Sequence, residues 1–206
     1  MKSTGVEKME TNADSTCKNE MKITETTANP APLGLLAFGL TTVLLNLHNA
    51  GLFAMGSTIF AIGIFYGGIA QIIAGIMEWK KNNTFGMTAF ISYGFFWISL
   101  VGLLLMPVFG WSAAVPKEAL ISFLLVWGLF SFVMFLITLK LTRSLQVIFG
   151  LLVILFALLI AGNALGNVTI LQIAGIEGVI CGLSAMYTGL GQIMNEVYKE
   201  QVIRLG

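Results

Sequence analysis

The chain opens with a polar stretch and then alternates long apolar runs with short polar breaks. Residues 1–28 are rich in Thr, Glu, Lys and Asn and read as a disordered tail. Six apolar runs follow, at roughly 33–53, 57–78, 85–106, 118–139, 144–162 and 168–194. Crossing about 30 Å of hydrocarbon takes roughly 20 consecutive apolar residues, so each run is long enough to span a bilayer. The breaks carry turn or helix-ending residues: Gly56-Ser57, Lys80-Lys81-Asn82-Asn83, Pro107 to Pro116, Leu141-Thr142-Arg143 and Gly162 to Asn167. Before the first run, Asn29-Pro30-Ala31-Pro32 stiffens a helix start, because proline fixes φ and its missing N–H costs nothing there. The pattern predicts an all-α integral membrane protein of six transmembrane helices. It divides into a cytoplasmic tail over 1–28, a helical domain over 29–195 and a short cytoplasmic tail over 196–206.

Composition sharpens that reading. Hydrophobic residues make up 57% of the chain and charged ones 10%, against about 25% charged in soluble domains. The net charge of +1 comes with no basic block, which argues against nucleic acid as a partner. If the N-terminus is cytoplasmic, that side holds Lys2, Lys8, Lys18, Lys22, Lys80, Lys81, Lys140, Arg143, Lys199 and Arg204, and the outer side only Lys117. Such a bias places both termini in the cytoplasm. Cys17 and Cys181 show neither metal nor disulfide spacing. No metal-binding cluster, nucleophile elbow or phosphate loop is present, so neither a cofactor nor an enzyme is expected.

Polar residues inside the runs carry the functional signal. The first run has Thr41, Thr42, Asn46 and His48, the second Tyr66 and Gln71, and the third Thr88, Ser92, Tyr93 and Ser99. The sixth has Gln172, Glu177, Ser184, Tyr187 and Thr188. Polar side chains in hydrocarbon must find partners or line a wet cavity, and this many on four helices point to a shared polar path. The glycine pairs Gly63/Gly67 and Gly178/Gly182 read first as close helix packing, and Gly162/Gly166 as a weaker pair at a helix end.

Glu177 reads as the only acidic residue inside a run. A carboxylate there is costly unless paired, hydrated or protonated. It is either a proton-coupling group or a protonated side chain bonded between helices. His48, toward the end of the first run, is either an interfacial hydrogen-bonding residue or a proton relay.

The run Asn29-Pro30-Ala31-Pro32-Leu33-Gly34-Leu35, leading into Phe38-Gly39-Leu40-Thr41-Thr42, resembles the signature of the acetate uptake transporter family. That family includes bacterial succinate-acetate permeases and fungal acetate and ammonia-export proteins. The likeness continues through Leu44 to Asn49, Phe65-Tyr66-Gly67-Gly68-Ile69-Ala70-Gln71, Asn83-Thr84-Phe85-Gly86, Ser92-Tyr93-Gly94, Ala161-Gly162-Asn163 and Cys181-Gly182 to Tyr187. It implies a homohexamer in membrane lipid, each protomer surrounding its own pore, with a constriction at Phe38, Tyr93 and Leu152. It also implies that Ala185 sits where the family sets substrate size. Glu177 departs from the bacterial pattern, which is apolar at that position.

The expected substrate is a small monocarboxylate, chiefly acetate, with the dicarboxylate succinate as a second candidate, passing as through an anion channel or with protons. Thr42, Asn46, Tyr66, Gln71, Ser92 and Asn163 are the expected donors along the path. Neutral donors bind an anion loosely enough to release it. Two other readings compete: a pore for a neutral solute such as ammonia or water, and a non-transporting membrane scaffold.

Overall fold

In the computed structural model, residues 27–206 are described. The expected tail, Cys17 and the first four lysines lie outside the described residues, except that Thr27 and Ala28 fall inside. Six long helices follow one another: α1 Ala31–Asn49, α2 Ser57–Lys80, α3 Thr84–Leu105, α4 Lys117–Thr138, α5 Arg143–Leu165 and α6 Val168–Tyr198. All six are long and apolar enough to cross a membrane.

The helix ends follow local chemistry. Pro32 sits in the first turn of α1, and the Asn29 side-chain oxygen accepts from Ala31 N at 3.1 Å. Asn83 caps α3 by accepting from Gly86 N, and Asn167 caps α6 by accepting from Thr169 N and Ile170 N. The first apolar run outlasts its helix, because the chain turns at Ala50 and Gly51 has φ +90°. Leu52 and Phe53 therefore lie exposed in the turn. The last helix outlasts its run, carrying Asn195 and Glu196 before Lys199 ends it in the left-handed region.

The helices form a ring. α1 packs most closely on α6, α6 on α5, α5 on α4, α1 on α2 and α2 on α3. Aromatic side chains close the remaining gap between α3 and α4: Tyr93 meets Phe130 at 5.5 Å, and Phe96 meets Trp127 at 5.2 Å and stacks on Phe123. Small residues make the α1–α6 seam. A Cβ on Gly178 would lie 2.2 Å from Asn46 Cγ, and one on Gly182 would lie 2.7 Å from the Gly39 carbonyl oxygen. These two glycines face one neighbour. Gly63 and Gly67 do not, since Gly63 meets Val101 of α3 while Gly67 meets Thr41 of α1. Gly162 packs on Leu171, whereas Gly166 ends α5 in the left-handed region with open space around it.

Within α2, Gly63–Ala70 wind as a π-helix, a wider coil that is rare and tends to occur at functional sites. The outward faces are apolar. On α4, Leu125, Val126, Leu129, Phe132, Val133 and Leu136 are all exposed, a surface suited to lipid and unusual against water. The protein is an all-helical, multi-pass membrane protein.

Candidate functional site

Two cavities enter the ring from opposite ends. The proximal cavity, at the end where α1 begins, has a volume of about 80 Å³. Its walls include Leu35 and Phe38 of α1, Gln71 of α2, Phe90 and Tyr93 of α3, Phe149 and Leu152 of α5 and Gln192 of α6. The distal cavity is larger, about 440 Å³, and is lined by Thr42, Asn46, His48, Phe96, Trp97, Phe156 and Asn163 among others.

The separation between them can be read residue by residue. On α1, Phe38 lines the proximal cavity and Thr42 the distal one; on α3 the pair is Tyr93 and Phe96; on α5 it is Leu152 and Phe156. Each pair is about one helical turn apart, a rise of roughly 5–6 Å. Between the cavities, then, stands a plug two side chains thick. Phe38, Tyr93 and Leu152 are all buried, and the Phe38 and Tyr93 rings lie 5.9 Å apart. Phe96 and Phe156 meet edge to face at 5.7 Å to form the second layer.

Hydrogen bonds hold the first layer in place. Ser131 donates to the Trp127 carbonyl at 2.8 Å, which uses its one proton, so the Tyr93 hydroxyl donates to Ser131 Oγ at 2.9 Å. On α1 the Thr42 hydroxyl donates to the Phe38 carbonyl at 2.7 Å, and the Asn46 amide donates to the Thr42 carbonyl at 2.9 Å. Asn163 likewise donates to the Leu159 carbonyl at 2.8 Å. Each carboxamide keeps a second N–H, and both residues line the distal cavity. Thr42, its proton committed, offers that cavity only lone pairs. His48 Nδ1 lies 2.8 Å from the Phe53 carbonyl and so donates to it, leaving Nε2 as an acceptor while the ring is neutral.

The remaining residues expected along the path lie elsewhere. Gln71 lines the proximal cavity, buried, with its side-chain oxygen unpartnered. Tyr66 is half-buried on the π segment, Ser92 is half-buried on α3, and Ala185 is fully buried; none of the three borders either cavity. Glu177 borders neither, although both its carboxylate oxygens are sealed from solvent without a partner. It sits one turn before Cys181, whose thiol faces the Ile148 carbonyl of α5.

Three features escaped the sequence reading. Phe96 and Phe156 form the second layer, and Trp97 lines the distal cavity with its indole N–H buried and unpartnered. Glu177 is also not the only acidic residue inside a membrane helix. Glu78 lies within α2 and is 2% exposed. Its position at the end of an apolar run was the available signal.

A membrane-spanning ring of helices, hollowed from both ends and stopped by an apolar plug, is the architecture of a transmembrane conduit. The chain belongs to the GPR1/FUN34/yaaH family, whose model matches residues 14–203. It is 54% identical over 179 residues to the succinate-acetate/proton symporter SatP of Escherichia coli (strain K12), an alignment covering 87% of this chain and 95% of that protein. It is 42% identical over 176 residues to ammonia transport outward protein 2 of Saccharomyces cerevisiae, covering 81% of this chain and 61% of that one. Among solved structures, that of the bacterial acetate channel SatP matches with a TM-score of 0.86 and 54% identity, over 87% of this chain and 99% of that chain.

Proposed function

We propose that this protein moves acetate and related small carboxylates, succinate included, across a cell membrane through a pore within each protomer. The observation that carries this reading is the pair of cavities meeting at an apolar plug in a chain 54% identical to a succinate-acetate/proton symporter. At neutral pH a short carboxylic acid is almost wholly ionised, like Asp or Glu in water, and an anion crosses bare hydrocarbon at great cost. The distal cavity reduces that cost with the free amide hydrogens of Asn46 and Asn163, which are neutral donors.

Phe38, Tyr93 and Leu152 act as the constriction, selecting for size and excluding water while closed. A methyl group suits such a neck, and a longer dicarboxylate loses more hydration there. His48 lines the distal cavity with its Nδ1 held on the Phe53 carbonyl, and its second ring nitrogen is a polar contact for a passing solute or proton. Glu177, set apart from both cavities with its carboxylate buried, has a packing role within the helical ring and no place in the path. Both termini face the cytoplasm, on the distribution of lysine and arginine, and the proximal cavity then opens inward. Residues 29–195 form the pore domain between two short tails, and the assembly is a homohexamer in lipid.

The test is radiolabelled acetate uptake into vesicles containing the purified protein, with and without an inward proton gradient. Uptake well above protein-free vesicles is expected, and its stimulation by the gradient marks proton coupling. Absence of flux under both conditions returns the chain to the scaffold reading. Flux of ammonia without acetate returns it to the neutral-solute reading, which the yeast relative's name favours.

A further inference from the structure

Beside the proximal cavity lies a separate polar crevice of about 420 Å³, lined by Thr27, Asn29, Glu78, Lys81, Asn83 and Glu196. Asn83 borders both spaces, so the crevice adjoins one mouth of the pore. Glu78 is 2% exposed yet contributes to its wall. One oxygen, Oε2, accepts the Asn83 side-chain amide at 2.7 Å, while the other, Oε1, is buried with no partner. Asn83 is itself held, its oxygen accepting from Gly86 N at 3.0 Å. Gly86 keeps the pair in place: a Cβ there would lie 2.6 Å from Asn83 Nδ2 and 3.0 Å from the Glu78 carboxyl carbon.

A buried carboxylate with one oxygen satisfied and one bare is a costly arrangement. A proton on the bare oxygen removes the charge and turns that oxygen into a donor. Among the described residues, Lys81, in the turn after α2, donates its amine to the Thr27 carbonyl; α6 brings Glu196; the stretch before α1 and the start of α3 bring the neutral Thr27, Asn29 and Asn83. Along α2, Glu78 lies two turns from Gln71 on the same buried face, and Gln71 lines the proximal cavity.

Resting on the carboxylate-pore reading above, we infer that Glu78 is a proton-binding site at the proximal mouth, taking its proton on Oε1 while Oε2 stays on Asn83. The proton decides whether an arriving carboxylate meets a neutral mouth or a like charge. With Glu78 ionised, its carboxylate meets the arriving anion as a like charge and repels it. With Glu78 protonated, that charge is gone and the substrate enters. The step is a simple binding equilibrium in which the proton comes from water and returns to it.

Acetate flux is measured in vesicles across a pH series, with total acetate adjusted so that the anion concentration stays constant. The unaltered protein is expected to gain about tenfold in flux from alkaline to acidic pH, the scale on which local charge changes ion entry. Glu78→Gln, neutral at every pH, is expected to lose that slope, and Glu78→Asp to keep it. An unchanged slope in Glu78→Gln overturns the site. Infrared spectroscopy reads the proton without transport: a protonated-carboxyl C=O band that grows on acidification and is missing from Glu78→Gln supports the site, and a band unaffected by that change overturns it. If Glu78→Gln does not fold, the same band in Glu78→Asp decides, since it must shift if it belongs to residue 78. Absence of acetate flux from the unaltered protein at every pH defeats the permeation reading instead, and the infrared band still decides the site.

Discussion

Two seams of the helical ring are built in opposite ways. Between α1 and α6 the main chains nearly touch, and glycines leave no room for a side chain: a Cβ on Gly175 would lie 2.2 Å from the Ala50 nitrogen. Between α3 and α4 the backbones stand apart, and the gap is bridged by rings and by the single hydrogen bond from Tyr93 to Ser131. Backbone against backbone permits almost no movement, whereas rings on rotatable bonds can swing. The first seam is the fixed wall of the conduit and the second is the one that can yield, and Tyr93 of the constriction belongs to the second.

The strongest way to break this contrast is to load the fixed wall. Gly178→Leu drives a branched side chain into Asn46 and is expected to cost about 3 kcal/mol or more, at the upper end of overpacking. Size-exclusion chromatography in detergent should show no monodisperse protein. A well-behaved peak refutes the idea of a rigid seam.

The neck offers the next largest effect. Leu152→Ala removes most of one wall of the constriction while leaving Phe38 and Tyr93 in place, so larger acids such as lactate should pass severalfold faster in vesicles. Unchanged acetate and lactate rates would argue that permeation runs elsewhere.

A smaller effect is expected at the yielding seam. Ser131→Ala strands the buried Tyr93 hydroxyl at a cost of about 1–3 kcal/mol, yet the aromatic contacts remain. The protein should fold, melt a few degrees lower in a detergent thermal-shift assay, and leak more readily when no gradient is applied. The smallest change is expected at Glu177→Gln. It borders neither cavity, so the pH profile of acetate flux should stay as it was; a flattened profile makes Glu177 part of the proton path after all.

The six helices were legible because lipid imposes a length and an apolar composition on each, and the starts of α1, α3 and α6 were marked by Pro32, Asn83 and Asn167. Helix rotation was not legible. A helix that is apolar all round shows no stripe to say which way it faces. Asn46 and Asn163 therefore looked no different from Tyr66, Ser92 and Ala185 in sequence, yet only the first two border a cavity. For the same reason Phe96 and Phe156 looked like any other aromatics in a greasy run. The π segment in α2 coincides with Gly63, Gly67 and Gly68, where α1 and α3 approach that helix closely, and that approach is tertiary information. Glu78 looked terminal because its burial depends on the Asn83 cap, a partner that sequence alone does not bring close.

The double layer of side chains at the centre of the ring also bears on the energetics of the cell. Protons hop along unbroken files of water, and here the file is interrupted by two layers of side chains, Phe38, Tyr93 and Leu152 in one and Phe96 and Phe156 in the other. A membrane can therefore hold many copies of such a protein without short-circuiting the voltage across it. The hollows on either side shorten the distance a solute must travel undressed, while the thin insulating disc between them preserves the charge separation from which the cell draws its work.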